Sequence, residues 1–234
     1  MEDIVVQGVF IGRAEEYRGG LRGSGDKLEM HREVWLGSAG LPGDDTSERR
    51  HRGGLDRALH HYPAEHYRHW RKRYPLRRWQ APACGENLST FGLGEADVCI
   101  GDLFHWGDAL IEVSQPRSPC YQLGRRWSLP ELPQLLQAQG RCGWFYRVRR
   151  AGMVSADAPL ELVQRHYPQL SVATLLHWFF NEPLERCGLR QMLACDALSL
   201  RWRKIAAQRL ASGQVEDWTA RLSGPECLEA GPVA

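Results

Sequence analysis

The pattern of apolar residues along this chain changes once, near Pro168, and that change limits the folds open to it. Before Pro168, short runs rich in β-branched and aromatic residues recur at 4–12 (IVVQGVFIG), 29–36, 98–104, 109–115, 143–148 and 159–166. Runs of this length, bounded by Gly, Pro and Asp, read as strands. After it, apolar residues recur at helical spacing over 172–180 behind a capping Ser171, over 185–197, and over 199–210 ahead of Gly213. Repeated strands with few helices between them predict a mainly β core with helices over its openings. The expected organisation is a β domain over 1–167, a three-helix module over 168–215 and a tail over 216–234.

Two helices are expected inside the β domain. In the first, 63–74, Pro63 suits the opening position and His66, Tyr67, Trp70 and Tyr74 recur three and four residues apart. The second covers 130–139 and is stopped by Gly140. The turn Trp106-Gly107-Asp108 joins the runs on either side of it as a hairpin. Residues 13–27 and 37–54 read as loops; the latter carries five glycines and almost no large apolar residue.

Composition narrows the class. A hydrophobic content of 43% in 234 residues supports a packed core. A net charge of +2 argues against a generic nucleic-acid binder, although Arg201, Trp202, Arg203, Lys204 and Arg209 form a basic, aromatic helix. No apolar run approaches a bilayer's thickness, and Glu2 and Asp3 do not open a secretory signal, so a cytoplasmic protein is expected. Seven cysteines, none in a CxxC pair, suit free thiols in a reducing compartment.

The residues able to do chemistry lie in four blocks. Ser114-Gln115-Pro116-Arg117-Ser118-Pro119-Cys120 follows a strand and puts a cysteine at a corner stiffened by two prolines. That cysteine is either a thiolate ligand or nucleophile favoured by Arg117, Arg125 and Arg126, or a small buried hydrophobe. Arg117 is either an anion contact or an ion-pair partner of Glu112 or Asp108. Gly53-Gly54-Leu55-Asp56-Arg57 is either a phosphate cradle, with Arg57 as a planar fork held by Asp56, or a glycine turn before a cap. His61 fits the same chemistry as an anion donor or proton carrier. Glu86-Asn87 offers donors and an acceptor for a ligand edge, or an ordinary turn.

His60, His61, His66 and His69 lack the spacing that places two imidazoles on one helical face, which argues against zinc. Gly92-Leu93-Gly94 lacks the third glycine of a dinucleotide fingerprint, and no flavin or haem signature is evident.

Taken in order, the runs from Gly53 to Pro63, Gly85 to Thr90, Val98 to Asp102 and Ser114 to Cys120 resemble the MOSC-domain proteins, and among them the bacterial hydroxylaminopurine reductases. MOSC denotes the C-terminal domain of molybdenum-cofactor sulfurases. The resemblance covers about 30–165 and continues more weakly to about 215. It implies a distorted β-barrel followed by a three-helix module, and a molybdenum cofactor (Mo-molybdopterin) bound to the protein. It further implies a reductase acting on small N-hydroxylated compounds, with electrons from a separate NAD(P)H-dependent flavin reductase. Cys120 would be the metal ligand, with Gly54, Asp56, Arg57, His61, Glu86, Asn87, Arg117 and Ser118 around the cofactor, and His61 or Asp56 as proton source.

The sulfurase relatives imply the alternative of a cofactor or sulfur carrier, loaded on Cys120, without reductase turnover. One departure stands out: the family's Val-His-Gly-Gly is replaced by Arg49-Arg50-His51-Arg52-Gly53-Gly54, displacing the histidine by one position. Either a bulge restores His51, or Arg52 takes over the anion contact.

Overall fold

The computed structural model describes residues 4–12, 14–17, 21–24, 27–44 and 54–224. His51, Arg52 and Gly53 therefore lie outside the described residues. The described strands are β1 (Val5–Ile11), β2 (Ala14–Tyr17), β3 (Leu21–Ser24), β4 (Leu28–Glu29), β5 (Val34–Leu36), β6 (Leu59–Pro63), β7 (Leu88–Phe91), β8 (Leu103–Trp106), β9 (Ala109–Pro116), β10 (Trp144–Arg150), β11 (Gly152–Val154) and β12 (Leu160–Gln164). Eight of them form one curled, open half-barrel sheet in the order β12-β8-β9-β10-β6-β7-β1-β4. β5 pairs with β11, and β2 with β3, as separate two-stranded ribbons. The expected mainly β architecture is thus present, as a half-barrel.

The described residues form two compact units. One holds the residues up to Gln115 together with Gly143–Val172; the other holds Pro116–Cys142 and the chain from Ala173 onward.

In the first unit β8 and β9 make the expected hairpin, with Trp106 opposite Ala109. The turn needs glycine, because Gly107 sits at φ 55 and a Cβ there would meet the Met153 carbonyl. β6 is fully buried at all five positions; it runs antiparallel to β10 and parallel to β7. A strand buried on both faces shows no alternation, so the sequence gives no strand signal there. Pro63 accordingly ends β6 instead of opening a helix, and Ala64 still donates to the Thr90 carbonyl at 2.8 Å. Helix α1 (His66–Arg73) follows, burying His66, Tyr67 and Trp70. It carries the crossover that a parallel β6–β7 pair requires.

Three further stretches differ from the expectation. The expected loop 13–27 contains the β2–β3 ribbon, and the expected strand 29–36 is divided between β4 and β5. Residues 98–102 form a turn ahead of β8. There Asp102 accepts from Cys99 N at 2.8 Å and holds Arg165 through both carboxylate oxygens at 2.9 and 2.6 Å.

The second unit contains α2 (Tyr121–Trp127), α3 (Leu132–Ala138), α4 (Val172–Leu176) running on into a π-turn at His177–Asn181, α5 (Arg186–Ala194), α6 (Leu200–Ser212) and α7 (Thr219–Ser223). α4 begins on the last residue of the first unit. Glu185 caps α5 by accepting from Cys187 N and Gly188 N, Ser199 caps α6, and Gly213 ends it at φ 66. Arg209 is only 1% exposed. It stacks 3.9 Å from the Phe179 ring, donates to the Phe179 carbonyl in the π-turn, and grips Glu216 at 2.9 and 2.7 Å. α7 lies within the stretch expected to be a tail.

Candidate functional site

The corner after β9 is built from the second unit's residues. Proline at 116 and 119 fixes the backbone around Arg117 and Ser118, and Cys120 then opens α2 in an extended conformation, φ −132 and ψ 165. Cys120 is half-buried, whereas Cys84, Cys99, Cys142 and Cys195 are buried. Burial pushes the Cys99 and Cys195 thiols above their ordinary value, which keeps them protonated. Among the described cysteines only Cys120 and the exposed Cys187 can meet a ligand from solvent.

Arg117 is half-buried, but its Nη1 is buried and meets no hydrogen-bond acceptor among the described residues. A buried guanidinium nitrogen left in this way costs free energy unless an anion satisfies it. Glu112, one of its expected partners, instead lies 3.5 Å from Arg147 and 2.5 Å from Arg149.

In the first unit, Gly54 precedes a 3-10 turn at Leu55–Arg57 with φ 57, a conformation glycine adopts freely. It is exposed, and a Cβ at this position would touch nothing within 4 Å. Asp56 does not serve Arg57 as expected: its Oδ1 accepts from Arg147 Nε at 2.8 Å, and the Arg57 guanidinium lies 4.4 Å from the Phe145 ring centroid. Ser114 Oγ sits 2.5 Å from the Asp56 carbonyl and 3.0 Å from that of Phe145. It thereby fixes the turn against β9 and β10, three residues ahead of Arg117.

His61 corrects its expected role. It is 0% exposed, with Nδ1 3.0 Å from Tyr146 Oη, Nε2 2.9 Å from Thr90 Oγ1, and its ring 4.3 Å from that of Trp144. Burial lowers its pKa to about 3, so the folded ring is neutral at ordinary pH. The neighbouring hydroxyl of Tyr146 is held well above its usual range, chiefly by the same desolvation.

Glu86 and Asn87 are committed inside the protein. Glu86 accepts from the Tyr67 hydroxyl and, at 3.1 Å, from Cys84 N. Asn87 Oδ1 accepts from His60 N at 3.1 Å, while Nδ2 donates to the Phe10 carbonyl at 3.1 Å and to Asp44 at 2.7 Å. Asp44 in turn holds Gly12 N and the buried Lys27 ammonium. Asn87 therefore joins β1, β6 and a loop, and shapes the unit from within. Ser89 likewise donates inward, to the Tyr62 carbonyl at 3.0 Å.

Two residues that sequence reasoning passed over matter here. Arg147 is the partner of Asp56, ninety-one positions apart in the chain. Arg221 donates to the Pro119 carbonyl, beside Cys120, across 102 positions. Separations of this size carry no local signal. Among the described residues no three His, Cys, Asp or Glu side chains converge on a metal position. A metal here would take its protein ligand from a single thiol, which suits a cofactor bringing its own donors. Cys120 and the unsatisfied Arg117 nitrogen fit such an anionic group.

The chain matches known proteins along most of its length. Residues 48–161 match the MOSC domain, and 170–213 match the YiiM-like, 3-alpha helix domain. The chain is 42% identical over 218 residues to Protein YiiM of Escherichia coli (strain K12), covering 92% of this chain and 97% of that protein. The crystal structure of YiiM from Escherichia coli superposes with a TM-score of 0.82 at 39% identity, covering 96% of this chain and all 100% of the other. A protein of Gibberella moniliformis (strain M3125 / FGSC 7600) named Reductase is 37% identical over 142 residues, 59% of this chain but only 25% of the fungal protein. With a half-barrel, a helical module and a near-full-length relative in agreement, the chain belongs to the MOSC-domain family, in the branch that carries the YiiM-like three-helix domain.

Proposed function

We propose that this chain is a molybdenum-cofactor-dependent oxidoreductase that reduces N-hydroxylated compounds, N-hydroxylated purine bases among them, to amines. The observation that carries this is the Cys120 corner: a half-buried thiol placed three residues after a buried arginine nitrogen that meets no acceptor among the described residues. Membership of the family supports it, as does the name of the fungal relative, Reductase.

A molybdenum pterin, when bound, supplies the two-electron change that loss of oxygen from an N-hydroxyl group requires. The chain's own residues hold and orient. Cys120 would ligate the metal through sulfur, the soft donor among the side chains of its corner. Arg117 and Ser118 would receive anionic oxygen, with Arg117 Nη1 gaining the acceptor that the described residues do not supply. Within the first unit the Gly54 turn and Arg57 carry the chemistry suited to a phosphate, a bare backbone position and a planar cation. Asp56 positions this turn through Arg147, and Glu86 and Asn87 act by fixing the strands behind it. Electrons would come from a separate NAD(P)H-dependent flavin reductase.

The test is elemental analysis of protein purified from cells that make the cofactor, wild type against Cys120→Ser. Turnover of an N-hydroxylated purine with a reduced viologen dye follows. Near-stoichiometric molybdenum in the wild type, lost in the variant, together with amine formation, is expected. Molybdenum without turnover would favour the carrier function, and a wild type without molybdenum would sink both.

A further inference from the structure

The last described helix, α7, lies beyond both matched families, which end at residues 161 and 213, yet it reaches the cysteine corner from both sides. Its start is fixed by Asp217, which accepts from Thr219 N at 2.8 Å and Thr219 Oγ1 at 2.6 Å. Trp218 packs edge-on against Phe180 with centroids 5.5 Å apart and donates to Glu216, the carboxylate that Arg209 grips. α7 is thus tied to the π-turn and to α6 and does not hang as a tail.

Arg221 projects from this helix with its guanidinium 5.4 Å from the Phe180 ring and 5.6 Å from that of Trp218. Its Nη1 donates to the Pro119 carbonyl at 2.6 Å, and its Nη2 to Gln137 Oε1 on α3 at 2.7 Å. Three residues on, the chain at Gly224 comes so close to Tyr121 that a Cβ there would lie 3.3 Å from the ring. Pro119 and Tyr121 are the two neighbours of Cys120. Both are thus held by the same five-residue helix and the glycine that follows it.

We propose that Arg221 is a positioning residue for Cys120: α7 clamps the Pro119–Cys120–Tyr121 segment so that the sulfur is presented in one direction to the group it binds. This rests on Cys120 being the ligand, and it gives the C-terminal helix a task that simple packing would not require. A planar, bidentate donor suits it, because one face can rest on aromatic rings while two nitrogens bridge separate acceptors.

The experiment compares the full chain with Arg221→Met and Arg221→Lys, all purified from cells that make the cofactor. Three quantities are read: molybdenum per chain, melting temperature, and amide hydrogen exchange resolved by peptide. If Arg221 positions the ligand, Arg221→Met lowers molybdenum content by about tenfold, the scale of losing a residue that orients a ligand. Exchange then rises by about tenfold across 119–124 while α5 and α6 keep their protection. Arg221→Lys, which keeps the charge and one donor, recovers part of the molybdenum. Unchanged molybdenum and unchanged exchange at 119–124 in Arg221→Met would overturn the proposal. So would a loss of protection spread equally over α5 and α6, which means packing alone. If the wild type holds no molybdenum while exchange at 119–124 still depends on Arg221, the clamp stands and the cofactor assignment fails.

Discussion

His61 has the composition of a catalytic residue and the surroundings of a core residue. Folded, it stays neutral down to about pH 3, whereas in the unfolded chain it takes up a proton below its ordinary value of 6.5. Its folded pKa is depressed, so its contribution to stability is complete above 6.5 and is lost progressively as pH falls towards 3. At about pH 4.5 this loss amounts to about 3 kcal/mol. Urea unfolding at about pH 7.5 and 4.5 measures it, and His61→Gln, which cannot take up that proton, should remove most of the difference. Asn87 offers a second test. Replacing it with Asp sets a carboxylate against Asp44, which now accepts from Asn87 Nδ2 at 2.7 Å. A cost of about 3–5 kcal/mol is expected, against about 2–3 for Asn87→Ala, which only strands its partners. The order of melting temperatures checks this. Cys120 and Arg117 were legible in the sequence because flanking prolines mark a corner. The true work of Asn87 was not, since its partners His60, Asp44 and Phe10 lie 27, 43 and 77 positions away.

At the scale of elements, the β8–β9 hairpin showed itself by its apolar and β-branched composition and its Trp106-Gly107-Asp108 turn, although β9 is buried at all but one position. β6 stayed hidden because it is buried throughout and its two histidines read as polar. Its register with β10 depends on Gly143, which sits at φ 70 with its missing side chain directed at the His61 carbonyl. Gly143→Ala should therefore destabilise by about 2–4 kcal/mol, through strain and displacement of β6, as chemical denaturation would report. The helices of the module were legible from their spacing and caps, but the π-turn was not. There a buried arginine from α6 satisfies a carbonyl from 30 positions away, which leaves no local signal. Arg209→Met should cost about 1–3 kcal/mol, by leaving the buried Phe179 carbonyl unpaired while Glu216 keeps only Trp218 Nε1 as a side-chain donor. Arg209→Lys should recover little of this, since one ammonium cannot reproduce the fork on Glu216. Differential scanning calorimetry on the pair separates charge from geometry.

For the whole molecule, a ligand held only by the folded chain must raise its stability by mass action. Protein from cells able to make the molybdenum cofactor should melt higher than protein from cells blocked in its synthesis. In Cys120→Ser the two preparations should coincide. The path of the chain has a separate meaning for how such a protein can be inherited. It enters the second unit at Pro116, leaves after Cys142, and returns at Ala173, so no single cut in the coding sequence isolates that unit. A recombination event that traded only the C-terminal segment would import a new α7 with its own arginine, or none. It would leave behind Pro119 and Gln137, the two acceptors shaped for the old one. Through Arg221 the two separated segments of that unit therefore depend on each other for the geometry of the Cys120 corner.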